Sequence, residues 1–195
     1  QVHARVAGLS GLSPDANRKV PPRRPYRVRR LADDFPDLDF VFNGQVATVE
    51  AARDALHDFH GSMVGRDAYR RPWYWSSIDA DLFGRDLPAA SRRDLLERYA
   101  EYAIACETHP TVRSPRRMLV KPLLNLFFGD RGAPAFKRAL NDLCNQRPLP
   151  FAVMLRQASS VVPDSVLDAP PPPQLFSPSS DDRVSVPSAT AVSLG

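Results

Sequence analysis

Two stretches of the chain carry the residue types best suited to holding an anion. Asn43-Gly44-Gln45 follows the apolar segment Leu38-Asp39-Phe40-Val41-Phe42, and Gly65-Arg66 follows Gly61-Ser62-Met63-Val64. Glycine lets backbone N–H groups come close to a charged oxygen, and an arginine fork can pair with phosphate through two parallel hydrogen bonds. The same residues also make ordinary turns at strand ends, so on their own they leave both readings open. For the two loops to act together, they must open at the same end of one sheet.

The elements around them predict that arrangement. Leu38–Phe42 and Gly61–Val64 are short, apolar and rich in strand formers. Between them, Thr48 offers an N-cap, and Val49, Ala52, Ala55 and Leu56 recur at helical spacing. A strand, helix, strand unit of this length implies parallel strands joined by a right-handed crossover. In such sheets ligands sit at the carboxyl ends of the strands. In a (β/α)₈ barrel the loops after the last two strands often bind phosphate. Upstream, Gln1–Ala4 reads as the end of an earlier strand, and Tyr26 to Phe35 as a helix after the proline-marked loop at residues 21–25.

The second half changes character. Ser91 caps a predicted helix over 91–107, with Leu95, Leu96, Tyr99, Tyr102, Ala103 and Cys106 on one face. Residues 115–128 predict a helix kinked near Pro122 and stopped by Gly129, and Pro134 opens a third bearing Phe136, Leu140 and Leu143. Three short amphipathic helices in succession predict a small helical bundle. From Ala158 onward, Ser159-Ser160, Pro170 to Pro173 and Ser177-Pro178-Ser179-Ser180 read as a disordered or polyproline-like tail. The expected division is therefore 1–86 for the α/β part, 87–147 for the helical domain and 148–195 for linker and tail.

Charge follows this division. The chain carries a formal +4, but the tail is acidic (four aspartates against Arg183), which leaves +7 on residues 1–157. Only Lys19, Lys121 and Lys137 are lysines, and the other basic residues are arginines. Arginine suits phosphate and stacked bases, although a coding bias toward G and C gives the same composition. Arg70-Arg71 with Trp73 and Trp75 could stack on bases, or the tryptophans could pack between the two parts of the fold. Cys106 and Cys144 have no partner at disulfide or zinc spacing, so a reducing compartment and no metal are expected. His57, His60 and His109 read as surface residues. No apolar run is long enough to cross a bilayer, and the N-terminus has no signal pattern. A cytoplasmic monomer is the expectation, or an organellar one if a targeting segment precedes Gln1. The absent initiator Met suggests a piece of something longer.

Several strings together resemble the tRNA-dihydrouridine synthases, and within them the A-type branch that treats D-loop uridines. They are Phe35-Pro36-Asp37-Leu38-Asp39-Phe40-Val41-Phe42-Asn43-Gly44, then Gly61-Ser62-Met63-Val64-Gly65-Arg66-Asp67-Ala68-Tyr69 with Pro72. His3-Ala4-Arg5, Gly11-Leu12-Ser13-Pro14 with Asn17-Arg18, Leu82-Phe83-Gly84, and Leu126-Phe127 with Gly129 and Gly132-Ala133 add to the likeness. The resemblance covers residues 2–143 in order. It implies an FMN-binding (β/α)₈ TIM barrel, represented here by about its last three strands, followed by a helical tRNA-binding domain. It also implies reduction of uridine to 5,6-dihydrouridine, with NADPH reducing the flavin. On this resemblance His3, Asn43, Gly44, Gln45, Gly65 and Arg66 match cofactor-binding positions, and Arg5, Ser13, Arg18, Arg117 and Lys121 match the tRNA side.

The sequence departs from the family pattern at Gln45, which stands where the family has a second glycine, and at Val6 and Ala16. The family's N-terminal half, with the cysteine that protonates the uracil, has no counterpart here, and Cys106 and Cys144 fall on apolar helix faces. The chain alone is therefore expected to be inactive. Two rivals stand beside this reading: an RNA-binding piece without catalysis, and a different flavin or sugar-phosphate barrel enzyme.

Overall fold

A computed structural model of the chain describes residues 1–8, 11–17, 19–86, 89–111, 114–146 and 149–172. In chain order, β1 (Val2–His3), α1 (Pro14–Asn17), α2 (Pro25–Asp34), β2 (Val41–Asn43), α3 (Val49–Asp58), β3 (Gly61–Ser62), α4 (Arg66–Arg70) and α5 (Ile78–Phe83) make the α/β part. Then come α6 (Arg92–Thr108), α7 (Arg116–Val120), α8 (Ala133–Cys144), α9 (Phe151–Ser159) and α10 (Asp164–Leu167). Short 3₁₀ turns lie at Pro72–Trp75 and Lys121–Asn125.

The sheet runs β1-β2-β3 and is parallel throughout. Val2 and His3 stand opposite Phe42 and Asn43, and Val41 and Phe42 opposite Gly61 and Ser62. All three carboxyl ends therefore point the same way, as the sequence predicts. The regular ladder is shorter than the apolar runs, with two residues in β1, three in β2 and two in β3. Thr48 caps α3 as expected, its Oγ1 accepting from the Ala51 N–H at 3.1 Å. One core joins Ala4, Val28, Phe40, Ala55 and Phe59. There the Phe42 and Phe59 rings stack at 5.1 Å. A second core joins Val46, Val49, Ala52 and Trp75.

The helical part closes around Leu96, Ala103, Leu119, Leu123, Phe127, Phe136, Leu140, Phe151, Met154 and Leu167. Burying each large side chain of this set is worth roughly 1.5–3 kcal/mol. Ser91 caps α6, its Oγ accepting from the Asp94 N–H, while Asp94 reaches back to the Ala90 N–H at 3.0 Å. The expected kinked helix resolves into α7 and the following 3₁₀ turn, with Pro122 at the start of that turn. Trp73 belongs to this core and Trp75 to the α/β core, so both tryptophans pack rather than stack outward.

One expectation is corrected. The stretch 148–195, read as linker and tail, carries α9 and α10, and Phe151, Met154, Leu155, Ala158, Val162 and Leu167 are buried. Their spacing is helical, and a proline stands just before each helix: Pro150 before α9 and Pro163 before α10. Gly132, with φ of 90°, lets the chain pass this segment closely, since a Cβ there would meet the Val161 carbonyl oxygen at 3.1 Å. Arg93 ties α10 to α6 through Asp164 and Asp168, each at 2.6 Å, and this pairing holds the Asp168 carboxyl below its ordinary value. Both contacts are exposed and contribute little stability. Residues 173–195, with most of the expected tail, lie outside the described residues. Among the described residues no helix is long and apolar enough to cross a membrane.

Candidate functional site

The carboxyl ends of the three strands open on one cavity of about 430 Å³, within the size range of small-molecule sites. Its wall holds His3, Arg5, Asn43, Gly44, Gln45, Gly65 and Arg66, so the fold brings both glycine loops and the end of β1 together. Arg23, Met63, Asp67 and Arg70 complete much of the lining and were not anticipated from sequence. Arg70 had a usable signal: it lies four residues after Arg66 on the same short helix, hence on the same face. Arg23 had none, because it arrives through an isolated antiparallel bridge to Arg5.

The charges in the wall are not equally available. Asp67, the one carboxylate in the wall among the described residues, accepts from Arg71 at 2.7 Å and from the Trp75 indole N–H at 2.9 Å. The Arg71 hydrogen bond raises that guanidinium above its ordinary value, and the two groups are matched to each other within the wall. Arg5 is also committed: it donates to the Lys19 and Pro21 carbonyls and to Gln45 Oε1 at 3.2 Å, pinning the loop before α2 to the loop after β2. Among the described residues Arg66 and Arg70 form no ion pair. Also among the described residues, the backbone N–H groups of Gln45, Val46 and Ala47 have no acceptor. The unpaired Arg66 guanidinium beside three unmatched amides can hold a multiply charged anion.

The glycine loop has a local reason as well. A Cβ at Gly44 would be driven into the Phe42 ring, which would have to move out of its stack on Phe59. Gln45 has φ of 64°, the left-handed region that favours glycine. This chain keeps that conformation with a side chain that reaches Arg5. Gln45→Gly is expected to raise unfolding stability by about 1 kcal/mol in a urea titration. A fall in stability would mean that the Arg5 contact outweighs the strain.

Of the residues assigned to the RNA side, Arg5 lines this cavity, while Ser13, Arg117 and Lys121 lie outside its wall. Ser13 Oγ caps α1, accepting from the Ala16 N–H at 3.2 Å. Arg117 on α7 and Lys121 at the next 3₁₀ turn are exposed on the helical part. Arg18 lies outside the described residues. His57, His60 and His109 are at the surface as expected, His60 accepting from the Phe40 N–H. Cys106 is half-buried and Cys144 buried, both as free thiols.

Comparison with known proteins places this cavity in a context. A family model described as dihydrouridine synthase matches residues 1–158. A protein of Pseudomonas aeruginosa named tRNA-dihydrouridine(20/20a) synthase is 40% identical over 140 residues, covering 72% of this chain and 41% of its own length. Proteins of the same name from Pseudomonas putida and Salmonella typhimurium are 37% and 34% identical over 152 and 163 residues, covering 78% and 84% of this chain. The chain spans 44% and 48% of those two relatives, less than half of each. With the match running through both glycine loops and on into the helices, the chain belongs to the dihydrouridine synthase family.

Proposed function

We propose that this chain is the C-terminal part of an FMN-dependent enzyme that reduces uridine to 5,6-dihydrouridine in tRNA. The observation that supports this reading best is the cavity at the strand ends. It joins the two family loops in a basic wall whose carboxylate, Asp67, is already matched to Arg71. The donor set suits the doubly charged phosphate of FMN: Arg66 would pair with it, and the amides after Gly44 would donate to it. When bound, FMN supplies the hydride, which NADPH restores. His3, Asn43, Gly65 and the Gln45 backbone would border the cofactor, and Arg5 would hold the loop that carries Gln45. The three parallel strands would be the last of a (β/α)₈ barrel. Three strands do not close one, so the 195-residue chain alone is proposed to be inactive. On the RNA side, Ser13, Arg18, Arg117 and Lys121 would meet tRNA phosphates, consistent with the +7 charge on residues 1–157.

The test is flavin retention in the natural protein. Arg66→Ala is expected to weaken FMN binding by about 1.5–3 kcal/mol, roughly the worth of a charge-assisted hydrogen bond. It would appear as flavin lost on gel filtration. Arg66→Lys is expected to rescue only part of the loss, because it restores the charge without the fork. Unchanged flavin content in Arg66→Ala would overturn the assignment of this cavity.

A further inference from the structure

The cavity has a rim that neither the family motifs nor the anion site accounts for. Arg70, the last residue of α4, lines the cavity, yet its guanidinium carbon also lies 5.7 Å from the centre of the Phe128 ring. Phe128 stands on the helical part beyond the Lys121–Asn125 turn, and 49% of its surface is exposed. The spacing between the two parts is fixed beside this pair: Asn125 Nδ2 donates to the Tyr69 carbonyl at 3.0 Å. Phe128 also borders a second hollow of about 230 Å³, next to Tyr74 and Asn125. Asp130, the carboxylate of that hollow, is paired with Arg92 at 2.6 Å. A cation and an open aromatic face thus meet at the edge of the cavity, with the neighbouring carboxylates Asp67 and Asp130 both matched elsewhere.

We propose that Arg70 and Phe128 form one platform for the nucleotide flanking the base drawn into the cavity, the guanidinium taking its phosphate and the ring stacking on its base. The proposal rests on the reading of the chain as part of a tRNA-reducing enzyme. A base reaches a flavin only after extrusion from folded RNA, which leaves its neighbour without a stacking partner on one side. An exposed ring replaces that partner without regard to sequence, and RNA offers a phosphate within reach of every base. Arg70 links the two, because its residue lines the cavity while its guanidinium lies against Phe128. Arg70 and Phe128 are therefore positioning residues that set where the target base enters.

The experiment uses the natural protein, an unmodified tRNA transcript and a salt series. Phe128→Leu keeps the apolar bulk and removes the π face, and it is expected to weaken tRNA binding at least about fivefold. The dependence of log affinity on log salt should stay unchanged, and Phe128→Trp should bind like the unaltered protein. Arg70→Ala is expected to flatten that salt slope by about 0.7–0.9, the loss of one phosphate contact, and Arg70→Lys to restore it. Flavin content should be the same in all four variants. Unaltered affinity in Phe128→Leu, or an unaltered slope in Arg70→Ala, overturns the platform. Flavin loss in Arg70→Ala also overturns it and assigns Arg70 to the cofactor. If the unaltered protein itself fails to bind tRNA, the functional reading falls and the platform with it. If that protein binds and the variants match it, only the platform falls.

Discussion

Arg92→Ala is expected to destabilise the folded chain by about 3–5 kcal/mol, the cost of removing one partner from a buried ion pair. The Arg92 side chain is 9% exposed, and each of its three nitrogens donates a hydrogen bond. Nε donates to the Leu126 carbonyl, Nη1 to the Val166 carbonyl, and Nη2 to Asp130 at 2.6 Å. The guanidinium also lies over the Trp73 ring at 4.9 Å and the Phe127 ring at 5.5 Å. Burial lowers its pKa from the ordinary value, with Asp130 opposing that shift, so the charge is held by its partners. Alanine would leave two carbonyls and a carboxylate without their donor and would strip a flat contact from two rings. Asp130 is partly open to water, which places the expected loss toward the lower end. Arg92→Lys should lie between, since it keeps the charge and loses the fork. Urea unfolding followed by circular dichroism checks this. A loss under about 1 kcal/mol would show that the Arg92 bonds form no net anchor.

Phe136→Ala is the second large effect, also at about 3–5 kcal/mol. Phe136 is fully buried, and its ring meets Phe127 edge-on at 4.6 Å. Truncation would remove that contact and leave a cavity in the centre of the helical core. Phe136→Leu should cost less, about 1–2 kcal/mol, because most of the volume remains. Phe136 and Arg92 both touch Phe127, so the double variant is expected to lose measurably less than the sum of the single losses. Strict additivity in the same urea titrations would show that the Phe127 ring does not couple them.

How far the sequence predicts this molecule depends on whether a feature is local. Thr48 and Ser91 announce the starts of α3 and α6 because a cap needs only the residue and its next three neighbours. The two glycine loops are legible for the same reason, and parallel pairing then brings them to one edge. Arg5 shows the limit. Its motif position is plain, but its bonds go to carbonyls 14 and 16 residues away, which no spacing rule announces. Arg23 and Phe128 reach their places in the same non-local way. The misreading of α9 has a different origin: composition outweighed periodicity. Serines and prolines drew the boundary early, although Phe151, Met154, Leu155 and Ala158 repeat at helical spacing.

The strap formed by α9 and α10 bears on the order in which the chain folds. The family match ends at residue 158, yet Val162 and Leu167 are buried in the helical core, and the Val166 carbonyl receives a bond from Arg92, 74 residues earlier. Closing a loop of that length costs entropy before any contact is returned. During synthesis α6 would therefore wait, with its Leu96 face uncovered, until α10 has left the ribosome. A chain cut at residue 158 would keep every family motif and lose the piece that seals the helical core.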